Sequence, residues 1–120
     1  MANTFRLKSK ANVTNNAISH ADAKIYTAGG SVVSTVVLGI SLSNTTSSSV
    51  TADVQIESDT SHNSETNSTA YLGKSLPIPS GGTLEIMQGN KLVLEDTDII
   101  RVRASAGSAV DALISIMEIT

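Results

Sequence analysis

The chain contains no cysteine and no tryptophan. Without cysteine there is no disulfide framework, no thiolate nucleophile and no cysteine-based metal site, and nothing follows about compartment. Aromatic residues are nearly absent: one Phe and two Tyr, 2% of a chain that is 40% hydrophobic. The core must therefore come from Val, Ile, Leu and Ala. Phe5, Tyr26 and Tyr71 are also too few to form the aromatic platform on which a sugar ring stacks. No apolar run approaches the ~20 residues needed to cross a bilayer, so no membrane contact is expected. The opening "MANTFRLKSK" has charges with no apolar stretch behind them, and no signal peptide is expected. Triplets at Asn12, Asn44 and Asn67 match the glycosylation pattern and are read as by-products of a Ser/Thr/Asn-rich chain. Positive charge is scarce as well, since 8 Lys and Arg against 11 Asp and Glu leave a net charge of −3. A nucleic-acid binder needs clustered cations to displace counterions, and Arg6, Lys8 and Lys10 form too small a cluster. No direct nucleic-acid partner is expected.

What is present is alternation. The 120 residues suit one domain, large enough to bury roughly two-thirds of its unfolded surface. "VTADVQIE" puts Val50, Ala52, Val54 and Ile56 on one face and Thr51, Asp53, Gln55 and Glu57 on the other, which is the period of a strand. "VVSTVVLGISLSN" reads the same way, with Val36, Leu38, Ile40 and Leu42 sharing a face. Further strands are predicted in "AKIYTA", "AYLGKSLPI", "TLEIM", "KLVLE", "DIIRVRASA" and "VDALISIMEI". Turns fall at Gly29–Gly30, "PSGG", "QGN" (read as a hairpin turn), "EDTD" and "AGSA". Pro77 and Pro79 lack backbone donors, so their stretch is expected to end on a sheet edge or to leave the sheet. The pattern predicts an all-β protein, an antiparallel β-sandwich or jelly-roll-like fold of eight to nine short strands. Residues 1–22 are predicted to form an N-terminal extended arm, and residues 23–120 a single β-sandwich domain.

No catalytic constellation is found. There is no G-x-S-x-G among the many serines, and the two histidines, His20 and His62, lie in polar stretches. The double glycines at Gly29–Gly30 and Gly81–Gly82 are not followed by the Lys-Ser/Thr of a phosphate loop. Asp59, His62 and Glu65 recur every three residues in "SDTSHNSETNST", a twelve-residue polar loop. A helix would align them for a metal, but Ser, Thr and Asn make a helix a poor reading. They are expected to mark an interaction loop instead, since loops this long are often functional. Glu95, Asp96 and Asp98 are read as a solvated acidic turn without the spacing of a calcium loop. No enzyme activity, cofactor or metal is expected.

The stretch from Tyr71 to the C-terminus, with "LPIP", "GGTLEI", "KLVLE", "DIIRV" and "ASAGSAVD", resembles small virion structural proteins of tailed bacteriophages, cyanophages in particular. "VVLGISLSNTTSSSVTADVQI" is similar to their central hairpin, so the resemblance covers about residues 23–120. It implies assembly into a particle, made in the host cytoplasm and found in the virion, with no catalytic residues to carry over. A capsid decoration or cement protein is the role expected; a neck, tail or fibre component and a host-glycan-binding module are the alternatives.

Two segments are expected to carry assembly. In "TFRLK", Phe5 and Leu7 alternate like a strand that could add to a neighbour's sheet edge. Removing the arm is expected to leave the domain folded and to reduce incorporation into particles. In the last strand, Leu113, Met117 and Ile119 lie opposite Val110, Ala112, Ile114 and Ile116, so both faces are apolar. A free-standing antiparallel sheet has one polar face. The second cover is expected to be another subunit, giving a trimer or ring that binds other virion proteins, or else the chain's own arm.

Overall fold

The computed structural model describes residues 2–32 and 34–120. Val33, at the start of one predicted strand, lies outside the described residues. The protein is an all-β antiparallel sandwich, with no α-helix among the described residues and a single 3-10 turn at Ala21–Ala23. Among the described residues eleven strands form: β1 (Asn3–Lys10), β2 (Lys24–Thr27), β3 (Ser34–Asn44), β4 (Val50–Glu57), β5 (Ser61–His62), β6 (Glu65–Thr66), β7 (Ala70–Ile78), β8 (Thr83–Glu85), β9 (Leu92–Glu95), β10 (Ile99–Ala104) and β11 (Val110–Ile119).

The first sheet runs β1-β11-β3, with β8 and β9 both paired to β3; the second runs β2-β10-β4-β7. If β8 and β9 are taken as two pieces of one strand position, eight positions divide into two four-membered sheets in the order of a jelly roll. The aliphatic residues meet between the sheets. Val37, Ile40, Leu42, Ile114 and Ile116 of the first sheet, and Val54, Ile78, Ile100 and Val102 of the second, are fully buried. Branched aliphatic side chains are stiff at χ1 and pack well on a pleated surface, which is how so few aromatics suffice.

Four details differ from the expectations. The count is eleven rather than eight to nine, because the polar segment 58–69 contains a two-residue hairpin, β5–β6. Its turn holds Asn63 and Ser64 at φ 51° and 69°, the positive values that a two-residue hairpin loop requires. Next, the alternation of β3 changes phase midway. The register to β11 shifts between Ser115 and Ile116, which leaves Leu38 as an extra residue. Thr35, Val37, Ile40 and Leu42 point inward and are buried, while Val36 and Leu38 are only partly covered. A bulge moves every side chain beyond it to the other face.

The "QGN" turn, third, does not reverse the chain. β8 pairs with Ser41–Ser43 and β9 with Ser34–Val37, both antiparallel to the same strand, so residues 86–91 loop out and return. The Glu85 carboxylate fills the gap, accepting from Ile40 N–H (3.3 Å), Met87 N–H (2.9 Å) and Ser41 Oγ (3.0 Å).

Finally, residues 2–22 lie on the sandwich. β1 pairs with β11 of its own chain from Asn3↔Ile119 to Lys10↔Ala112. The following residues cross to the second sheet, anchored by fully buried Val13, whose N–H donates to the Val110 carbonyl at 2.8 Å. Arg101 Nη1 donates to the carbonyls of Ile18 (3.2 Å) and His20 (2.9 Å). Arg103 donates to those of Asn16 (2.9 Å) and Asn15 (3.0 Å). A polar segment with no core of its own is held because two arginines satisfy its backbone acceptors.

Pro77 lies in β7, the edge strand of the second sheet, where a missing donor costs no ladder bond.

Candidate functional site

The outer face of the first sheet carries four of the six large hydrophobic side chains that are exposed among the described residues, the other two being Tyr71 and Leu72 on β7. Across the strands, Phe5 is opposite Met117, Met117 is opposite Val36, and Val36 is opposite Val93. These four residues form one row over β1, β11, β3 and β9. Leu7, Leu113 and Ile119 stand on the same face of the same strands. Phe5 is 71% exposed, Leu7 63%, Val93 61% and Leu113 46%. Met117, Ile119 and Val36 are half-buried.

The sandwich thus gathers onto one surface all five residues singled out for subunit contact: Phe5, Leu7, Leu113, Met117 and Ile119. β1 does not cover that surface. It extends the sheet sideways and adds Phe5 and Leu7 to it. Sequence reasoning missed Val36, hidden by the bulge, and Val93. The alternation of "KLVLE" held the signal for Val93, since Leu94 is buried beside it.

The inner side of β1 is of opposite character. Arg6 and Lys8 face the sandwich, which blunts the strand as an edge for further pairing. Arg6 Nε donates to Glu118 Oε1 at 2.6 Å. Glu118 Oε2 accepts from the Tyr26 hydroxyl at 2.8 Å, and the Tyr26 oxygen accepts from Thr35 Oγ1 at 2.8 Å. Lys8 Nζ stands 5.8 Å from the centre of the Tyr26 ring. Tyr26, Thr35 and Glu118 are buried, so this chain of bonds closes a polar seam between β1 and β2. The Tyr26 hydrogen bond, with the Arg6 guanidinium behind it, holds the Glu118 carboxyl below the usual carboxylate range despite burial. Burial pushes the Tyr26 phenol up.

Asp59, His62 and Glu65 do not converge. Among the described residues, no group of three or more His, Asp or Glu is placed to hold a metal. His62 lies cross-strand from Glu65 in the β5–β6 hairpin, and its Nε2 meets Glu95 Oε2 at the end of β9. That contact ties the hairpin to the first sheet. The Glu95 hydrogen bond and charge raise the His62 pKa. Asp59 lines an open cleft of about 820 Å³ at this end of the sandwich, together with Glu57, Asp96 and the Gly29–Gly30 turn. Glu57 is engaged by Arg101 Nε at 2.7 Å. His20 caps the 3-10 turn, where its Nδ1 accepts from Asp22 N–H at 3.1 Å. Tyr71 is exposed on β7 with Lys74 Nζ over its ring at 4.7 Å.

No family model and no curated protein matches this chain. Among solved structures, it is similar to a chain of infectious bursal disease virus Gx strain, at 11% identity and a TM-score of 0.47 over 95% of this chain and 33% of that one. It is similar to a chain of the infectious bursal disease virus VP2 subviral particle at 12% identity and 0.44, over 94% and 32%. It is also similar to Eiger TNF from S. frugiperda at 12% and 0.38, over 95% and 85%. The chain spans about a third of the length of the two virus chains. Likenesses this remote, to a virus and to a TNF alike, carry nothing about what the chain does.

Proposed function

We propose that the protein is a non-enzymatic structural component of a bacteriophage particle that assembles with copies of itself through the outer face of its first sheet. The row Phe5–Met117–Val36–Val93 carries this reading. Burying side chains of this size stabilises an association by roughly 1.5–3 kcal/mol each, and such a surface is costly to leave in water. The edge beside it is blunted by inward-facing cations, so face-to-face packing is favoured over strand addition. A trimer or ring seats this face against a neighbour, and the particle is its location. The resemblance of residues 23–120 to tailed-phage virion proteins supports the particle role, with capsid decoration as the finer assignment.

Met117→Asp tests the assembly. Its side chain already reaches solvent, so the variant should keep its far-ultraviolet spectrum and melting temperature. Sedimentation should show the oligomer dissociated, because a desolvated charge at the centre of the row is costly. A wild-type protein that stays monomeric at high micromolar concentration, also with other virion proteins added, would sink the proposal. Density for the chain on the outer shell of intact particles supports decoration; density at the neck, tail or fibre moves the role there.

A further inference from the structure

On the flank away from β1, the two sheets part between β9 and the start of β7. The groove there measures about 280 Å³. An apolar cavity of ~150 Å³ is enough to hold benzene, so this groove has room for a phenyl ring. Its walls include Ile56, Leu92 and Leu94. Among the described residues, the six exposed large hydrophobic side chains fall into two sets. Phe5, Leu7 and Leu113 stand on β1 and β11, toward one side of the outer face. Tyr71, Leu72 and Val93 all line the groove on the opposite flank.

A surface that meets its own copy closes a two-fold pair, whereas a trimer or larger ring needs two different surfaces that fit each other. We propose that the groove is the second surface: Phe5 of one copy enters the β7–β9 groove of the next, with Leu7 and Leu113 packed beside it. This contact rests on the self-assembly through the outer face proposed above and supplies its other half. Phe5 is the chain's one Phe, is 71% exposed and stands at the end of the outer row. The contact withdraws all six exposed hydrophobic side chains from water. Pairing the outer face with itself leaves Tyr71 and Leu72 uncovered, because they lie on β7 of the other sheet. Val93 belongs both to the outer row and to the groove, so the two surfaces adjoin on each copy. Each copy keeps a ring to insert and a groove to fill, and the contact repeats until the ring of subunits closes.

Two variants, each damaged in one half of the contact, provide the test. Phe5→Ser removes the ring, and Leu72→Asp puts a charge in the groove. Both positions are exposed, so circular dichroism should match that of the wild type. Each variant alone should sediment as a monomer where the wild type is assembled, with association weakened roughly 10- to 100-fold. Mixed one to one, the Leu72→Asp copy supplies Phe5 and the Phe5→Ser copy supplies an intact groove, so a dimer should form and grow no further. Normal assembly of Leu72→Asp overturns the proposal, and so does a mixture that stays monomeric. Ala70→Asp, exposed in the same groove, takes the place of Leu72→Asp if that variant does not fold. Met117→Asp separates the two readings. An oligomer that this change dissociates and Leu72→Asp leaves intact assembles through its outer face but not into the groove; a wild type that never assembles removes both.

Discussion

A carboxylate pointing inward from an aliphatic strand needs partners, and Glu118 has Arg6 and Tyr26. Replacing Glu118 with Ala removes the carboxylate that accepts from both the Tyr26 hydroxyl and Arg6 Nε. The expected loss is about 1–3 kcal/mol, read from the urea midpoint at neutral pH. The pH dependence follows from the same contacts. The folded carboxyl is held below its unfolded value. Its contribution is therefore fully present above about pH 4.3, the unfolded value, and is lost as pH falls through the lower folded value. Glu118→Gln should flatten that part of the stability profile. An unchanged acid limb in the variant would show that other carboxylates carry it. His62 has the opposite sign. Its folded value is raised by Glu95, so the tie is fully made below about pH 6.5 and is lost as pH rises through the higher folded value. Amide exchange across the β5–β6 hairpin should quicken over that rise in wild type and be fast throughout in His62→Ala.

Among elements, the N-terminal segment changes most between expectation and structure. A polar run with two apolar residues reads as an arm free to reach a neighbour. Its cations instead find partners on its own chain, Arg6 on Glu118 and Lys8 near the Tyr26 ring, and β1 completes the β11 edge. Deleting residues 1–10 is thus expected to uncover the β11 ladder and the Tyr26–Glu118 seam and to lower the melting temperature, contrary to the sequence-based expectation of an unaffected domain. Thermal melts of the truncated chain decide it. The crossing at residues 11–22 depends on Arg101, whose side chain is 7% exposed and also bonds Glu57. Arg101→Met should cost about 1–3 kcal/mol, chiefly through the stranded carbonyls of Ile18 and His20. Proteolysis of the variant should begin within residues 11–22; cleavage elsewhere would mean that the crossing is held by other contacts.

At the scale of the whole molecule, the sandwich separates two kinds of apolar surface. One lies between the sheets and is dry. The other, on the outer face of the first sheet, becomes continuous only when β1, β11, β3 and β9 lie side by side. Replacing Phe5 and Leu7 with Ser should leave the core intact, since both are more than half exposed. The melting temperature should change little while self-association weakens, as measured by sedimentation. A large drop in melting temperature with unchanged association would assign these residues to the fold rather than to assembly.

The strand pattern belongs to the sequence alone. Alternation in Val50–Glu57 and Val110–Ile119, the edge position of the Pro77 strand and the aliphatic core follow from period-two patterning and from what proline cannot donate. The outward set Phe5, Leu7, Leu113, Met117 and Ile119 was legible for the same reason. Tertiary structure decided what periodicity does not encode. A bulge at Leu38 exchanged the faces of Val36 and Val37, because register is set by the partner strand. The "QGN" turn looped out rather than reversing, because β8 and β9 share one neighbour. Arg6, Tyr26, Thr35 and Glu118 met because residues 112 positions apart in the chain became neighbours across one pair of strands. Asp98, read in the sequence as part of a solvated acidic turn, is buried, and its Oδ2 accepts from Glu95 N–H. Each of these depends on contacts between distant segments, and such contacts exist only once the two sheets have packed.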